Sequence, residues 1–270
     1  MKKKAIIVIL LVVAAAVAGT FTRSTRSDEQ SWNNETGEGA PGLEIRQSQQ
    51  LQPGAQVEVA GINGKVLIET SDTDTAEILI ERRARNQKDL DKREIIIEKT
   101  PTKLSIRAEQ RKLMGIFDWG GNNAGENVTL KLPRKVALTA RGVNGAVKIG
   151  EVEGALKVHG INGRVELAQA LDYTEVGGVN GPVNIAVDRL GERGLKISGV
   201  NGSIELRLKE GINADLQAKG MNGGVRSELP DVVVEKDPER SKFSARIGSG
   251  GAPIAISGIN GSVKLTRGAS

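Results

Sequence analysis

The chain has 270 residues, 34 of them glycine, with only three Phe, two Trp and one Tyr. It has no cysteine and one histidine, His159, which excludes disulfides, thiol catalysis, thiolate metal sites, a lipid-modified N-terminal cysteine and any multi-histidine metal cluster. Three of the charges behind the net +5 are Lys2, Lys3 and Lys4; without residues 1–18 the balance is 35 basic against 33 acidic, too even for the basic face that nucleic acid requires.

Met1–Lys4 is a basic start, Ala5–Ala18 an unbroken apolar run, and Ala16-Val17-Ala18 places small residues where a signal peptidase reads. Extended to Phe21, the run reaches the short limit of a membrane span. Residues 1–18 therefore read as a signal peptide, or as a hydrophobic helix that holds the protein to the membrane through residues 5–21. Either way the body is exported, to the periplasm or cell surface. Residues 19–42 are polar, lack a period and end in Gly/Pro, the composition of a flexible linker. The folded part is expected over 43–270.

Leu43–Thr70 opens that part. Thr75–Arg85, Glu94–Lys99, Lys103–Ala108 and Val128–Pro133 read as strands, and Asn86–Arg93 as a polar loop or a single helical turn. On a strand, Arg83 and Arg85 share one face and could touch an anionic partner. Gln110–Asn127 is a glycine-rich loop whose Phe117 and Trp119 read either as a binding tip or as a seal over one end of the fold. These four residues are the candidate partner-binding set.

The informative feature is a tetrapeptide, Gly–apolar–Asn–Gly, which starts at Gly61, Gly142, Gly160, Gly178, Gly199, Gly220 and Gly258. Chance gives roughly 0.2 copies of Gly-x-Asn-Gly in such a composition, so this is an internal repeat. From the second copy the spacings are 18, 18, 21, 21 and 38 residues. The flanks repeat too: aliphatic residues lie two before the first Gly and two and, save for Ser227, four after the second, with polar residues between from the second copy on (Lys148, Glu166, Asn184, Glu205, Arg226 and Lys264). That is period-2 alternation on both sides of a turn, the mark of short strands with one buried face. Asp231–Lys236 and Lys242–Ile247 read as a hairpin inside the longest interval, and the last repeat is expected at the C-terminal edge.

Asn-Gly could close tight hairpins in an antiparallel meander, or turn corners between strands of two sheets. The apolar residue inside the motif decides between them. In a hairpin it would face outward, yet it is Ile, Val, Ile, Val, Val, Met and Ile. At a corner it points inward, and like residues stack about 4.8 Å apart from layer to layer. The asparagines are then placed to form an amide ladder, or serve only for their backbone tolerance. Stacking also sets Lys148 against Glu166, and Lys157 against Glu175, which faces Lys196.

Catalytic and ligand chemistry is poorly served. The glycine turns lack the Lys-Ser/Thr of a phosphate loop and the Asp of a calcium roll. His159 has Arg141 and Gly177 as stacked neighbours, neither a nucleophile nor an acid. Glu166 and Glu205 share an outward column about 9–10 Å apart, a spacing an inverting glycosidase could use, but Asn184 stands between them. No cofactor and no metal site is expected.

From roughly Leu43 to Arg267 the chain resembles a bacterial family of exported β-strand-repeat domains known as putative adhesins. The stretches that carry the resemblance are VEVAGINGKVLIET with AEILIERRAR, LKISGVNGSIELRL, ADLQAKGMNGGVRSELP and IGSGGAPIAISGINGSVKL. Pro182 and Gly224 depart from it, standing where a polar residue is usual after Asn-Gly. The resemblance implies an all-β, single-chain, right-handed β-solenoid, parallel β-helix-like, here with an N-terminal β extension. It brings no catalytic residues and implies a non-enzymatic adhesive or structural role in the cell envelope. The partner would be an envelope or cell-surface component, protein or glycan. A polysaccharide-acting enzyme and a self-assembling scaffold with end-to-end association are the alternatives.

Overall fold

Alternating aliphatic and polar residues around glycine corners leave the chain one economical solution, short strands that bury their aliphatic face against a second sheet. The computed structural model describes residues 42–111, 124–168, 172–230, 232–237 and 242–268. The expected signal or anchor helix and linker, and the Phe117/Trp119 loop, lie outside the described residues.

In chain order the elements are β1 (Gly42–Gln50), β2 (Ala55–Ala60), β3 (Val66–Ser71), β4 (Thr75–Arg83), α1 (Gln87–Asp91), β5 (Arg93–Thr100), β6 (Lys103–Gln110) and β7 (Gly125–Pro133). The repeats follow as β8 (Val136–Val143), β9 (Val147–Ile149), β10 (Leu156–Ile161), β11 (Val165–Ala168), β12 (Thr174–Asn180), β13 (Val183–Val187), β14 (Leu195–Asn201) and β15 (Ile204–Leu208). The chain closes with β16 (Ala214–Met221), β17 (Val225–Ser227), β18 (Val234–Asp237), β19 (Lys242–Ile247), β20 (Ala252–Asn260) and β21 (Val263–Arg267). The one described helix is the turn expected at Asn86–Arg93; Asn86 caps it by accepting the Asp89 N–H.

Two sheets result. One has ten strands, in the order β1-β4-β7-β3-β9-β11-β13-β15-β21-β17; the other has eleven, β18-β19-β16-β20-β14-β12-β10-β8-β2-β6-β5. Each repeat gives one strand to each sheet, and Gly-x-Asn-Gly carries the chain across. Successive repeats pair in parallel: Val165 lies beside Val147 and Val183, and Val158 beside Ala140 and Val176. The asparagines therefore turn corners and do not close hairpins. Between the sheets lies a largely aliphatic core from Leu51 to Leu265, in which Val158, Val165, Val176, Val183 and Ile185 are fully buried. Each such side chain contributes on the order of 1.5–3 kcal/mol by leaving water.

The motif's own apolar residue points into this core. Ile62, Val143, Ile161, Val179, Val200 and Ile259 are buried, and Met221 is half-buried. The corner glycines follow from geometry. Gly160 has φ +64, a left-handed value that a side chain disfavours. A Cβ on Gly163 would run into the carbonyl oxygen of Gly145 in the neighbouring layer.

One expectation is overturned. The last repeat, β20–β21, is not at the edge: Ile254 and Ile256 pair with both β14 and β16, and Val263 with both β15 and β17. The last repeat is inserted between its two predecessors, which is why its motif stands 38 residues after the previous one. The edge belongs instead to β17 in one sheet and, in the other, to the hairpin β18–β19, antiparallel to β16. Between β17 and β18, Leu229 and Val232 pack against the core, as does Val234 at the start of β18. The opposite end has a similar plan: β6 and β7 form a layer outside β2 and β3, and are flanked by the antiparallel strands β5 and β4, with β1 outermost.

Candidate functional site

The seven corners line up along one side of the stack, and their side-chain amides form a continuous ladder. Each Nδ2 donates to the next Oδ1: Asn144 to Asn63 (3.0 Å), Asn162 to Asn144 (2.9 Å), Asn180 to Asn162 (3.0 Å) and Asn201 to Asn180 (3.1 Å). The inserted repeat continues it, Asn260 to Asn201 (3.0 Å) and Asn222 to Asn260 (3.2 Å). Backbone bonds run beside it, with the Asn144 N–H on the Ile62 carbonyl and the Asn162 N–H on the Val143 carbonyl, both at 2.8 Å.

At Asn63 the stack of corners stops, and Glu126 takes over. Its Oε1 accepts the Asn63 N–H at 2.9 Å, and Asn63 Nδ2 donates to the Ala124 carbonyl at 2.9 Å. Glu126 is 2% exposed and its charge is met by Arg93, which also donates to the Gly61 carbonyl at 2.8 Å. No local pattern announces this cap. Glu126 and Arg93 lie 33 residues apart, and the only clue was that the first asparagine of a ladder needs an acceptor.

Of the four candidate residues, Phe117 and Trp119 lie outside the described residues. Arg83 ends β4, while Arg85 falls beyond it in the turn before α1. The two therefore do not share a strand face, although both are exposed. The ladder of β4 with β7 ends at the Arg83–Gly125 pair, and Arg82, one residue before, donates to the carbonyls of Leu90 (2.8 Å) and Arg93 (2.5 Å). Burial lowers the pKa of Arg82 from its ordinary value, while Glu126 nearby opposes the shift.

The outer faces carry the stacked charges expected of them. Lys148 lies beside Glu166, and Lys157 beside Glu175. Lys196 donates to Glu175 at 2.9 Å, and that bond holds the Glu175 carboxyl below its ordinary pKa. Arg141 holds Glu58 down in the same way, through a 2.6 Å bond. Glu166 and Glu205 flank Asn184 in one column; Glu166 lies 3.6 Å from Arg164, and Glu205 accepts from Thr266 at 3.2 Å. His159 stands between Arg141 and Gly177. Small residues at Ala137 and Ala155, walled by Glu58, Lys103 and Lys157, leave a shallow depression of about 330 Å³ on the eleven-stranded sheet. Among the described residues no group of three or more His, Asp or Glu side chains is placed to hold a metal ion.

No protein-family model matches the sequence, and no curated protein matches it. Among solved structures the chain is similar to a putative cell adhesion protein from Clostridium sporogenes, at 14% identity over 83% of this chain and 100% of that one, with a TM-score of 0.46. It is also similar to a putative adhesin from Bacteroides fragilis, at 13% identity over 83% and 97%, with a TM-score of 0.34. A third is a putative lipid binding protein from Parabacteroides distasonis, at 10% identity over 83% and 94%, with a TM-score of 0.31.

Proposed function

We propose that the protein is an exported, right-handed β-solenoid that acts without catalysis, as an adhesive or structural module of the bacterial cell envelope. The supporting observation is where the repeated polar groups go. Seven asparagine amides are bonded to one another along a single line. The repeat thus builds a stiff platform whose outward columns present side chains on two strand faces. Such faces suit recognition of an extended partner, protein or glycan, better than enclosure of a small substrate. The basic start and apolar run of residues 1–21 support export, to the periplasm or cell surface, with the linker giving the body reach from the membrane where the segment is retained.

The test is capture from an envelope extract by the immobilised full chain, compared with the Phe117→Ala/Trp119→Ala and Arg83→Ala/Arg85→Ala variants. Retention of one envelope component, diminished in a variant whose thermal melting is unchanged, is the expected result. Release of reducing sugar ends from envelope polysaccharide by the protein would contradict the proposal.

A further inference from the structure

The strand edges of the two sheets are not equivalent. At the end that holds Asn222 the edges are short: β17 has three residues and β18 four. At the other end they are long, nine residues in β1 and eight in β5, so each offers a template for another strand.

The edge of β5 is poorly suited to self-pairing about its middle. The Arg111 N–H bonds the Lys92 carbonyl at 2.7 Å in the β5–β6 register, so even-numbered residues of β5 turn their backbone to β6 and odd-numbered ones turn outward. The outward carbonyl of Arg93 is already taken by Arg82. A two-fold pairing about Ile96 would set Arg93 against Lys99 and Glu94 against Glu98 of the second copy, like charge against like on both faces.

The edge of β1 has the opposite character. The Leu51 N–H bonds the Asp74 carbonyl at 2.8 Å, so odd-numbered residues face β4, and Gly42, Glu44, Arg46, Ser48 and Gln50 turn their backbone outward. Lys99 donates to the Ser48 carbonyl (3.4 Å) and Gln49 to that of Gln50 (2.8 Å), which leaves Gly42, Glu44 and Arg46 as the open positions. The Glu44 and Arg46 side chains carry opposite charges and pair with each other on the outer face, an ion pair that a second strand could exchange for two across the junction. The ten-stranded sheet also projects one strand further than its partner: β4 and β1 lie beyond β7, but only β5 lies beyond β6. The inner face of β1 thus lacks a facing strand, and Leu43 is 40% exposed with Ile45 half-buried.

We propose that β1 pairs antiparallel with β1 of a second copy about a two-fold axis at Ile45. This register sets Glu44 against Arg46 of the second copy and Arg46 against its Glu44, stacks Ile45 on Ile45, and brings Leu43 beside Gln47. Registers centred on residue 44 or 46 would set like charges together. The projection of β1 leaves room for the two β5 edges to stay apart. The pairing joins the ten-stranded sheets of two molecules, and it does not rest on the adhesive reading.

The chain has no cysteine, so single thiols can report the register. Residues facing each other in a non-hydrogen-bonded pair have Cα atoms about 4.5 Å apart, close enough for a disulfide. The full chain in mild detergent, carrying Ile45→Cys and treated with a gentle oxidant, is expected to form a disulfide-linked dimer; Gln49→Cys is not. Adding Glu44→Arg should lower the dimer yield by about tenfold, and adding Arg46→Glu as well should restore it. Because Glu44 and Arg46 are exposed, the same charge variants without cysteine can be followed by sedimentation as a second readout. Cross-linking at 45 no faster than at 49, or no response to the charge reversals, would overturn the proposal. Protection of the Ile45→Cys thiol from a small reagent in a species monomeric at every concentration would overturn it too, and would assign the edge to residues 1–41.

Discussion

The middle of the stack and its two ends follow different rules. From β8 to β15 each layer repeats the one before it, and all strand pairs are parallel. At the ends the chain doubles back, adds antiparallel strands and breaks the order of its own repeats: β6 and β7 lie outside β2 and β3, and β20–β21 slips inside β16–β17. A layer in the middle finds its backbone partners on both sides in copies of itself. A layer at an end must find other partners, and here those are Glu126, the strands β1, β4 and β5, and the hairpin β18–β19. Repetition supplies the interior, and individual contacts close it.

That contrast ranks the expected effects of substitution. Val165→Asp puts a charge into a fully buried interior column and should cost at least about 4 kcal/mol, read as loss of the cooperative melting transition. At the end, Glu126→Ala strands the Arg93 charge and the Asn63 N–H, and about 3–5 kcal/mol should be lost in denaturant unfolding. A loss below about 1 kcal/mol would show that Glu126 is not the closing contact. Asn162→Ala removes one rung of an exposed ladder whose neighbours can turn to water, so about 1 kcal/mol is expected.

Acid should act more gently. Glu58 and Glu175 titrate below their ordinary value of 4.5 in the folded protein, so their contribution is complete above that value and fades as the pH falls through the lowered folded one. Melting temperature should therefore drop below pH 4.5, and Glu175→Gln should blunt that drop. Smallest of all, Glu166→Ala should shift stability by less than about 1 kcal/mol, because its ion pair with Arg164 is open to solvent.

What could be read from the sequence follows the same division. The seven tetrapeptides and their aliphatic flanks carried the all-β class, the parallel register and the inward direction of residues such as Val143 and Ile161, because each is a local pattern written many times. The place of β20–β21 was misread, because repeat spacing records position along the chain while stacking depends on which edges meet in space. Local alternation puts Arg83 and Arg85 on one strand because it cannot reveal that the ladder of β4 with β7 ends at Arg83. The Glu126 cap was missed for a related reason: it occurs once, and its partners Arg93 and Asn63 are far away in sequence.

The most direct test of the layered order uses pairs of cysteines in an outward column of the naturally cysteine-free chain. Lys264 pairs with both Glu205 and Arg226. Neighbouring parallel strands lie about 4.8 Å apart, within reach of a disulfide, and second neighbours about twice that, beyond it. Glu205→Cys/Lys264→Cys should oxidise readily to an intramolecular disulfide, and Glu205→Cys/Arg226→Cys should not. The reverse outcome would place the repeats in chain order and contradict the inserted final layer; failure of both pairs would contradict parallel stacking itself.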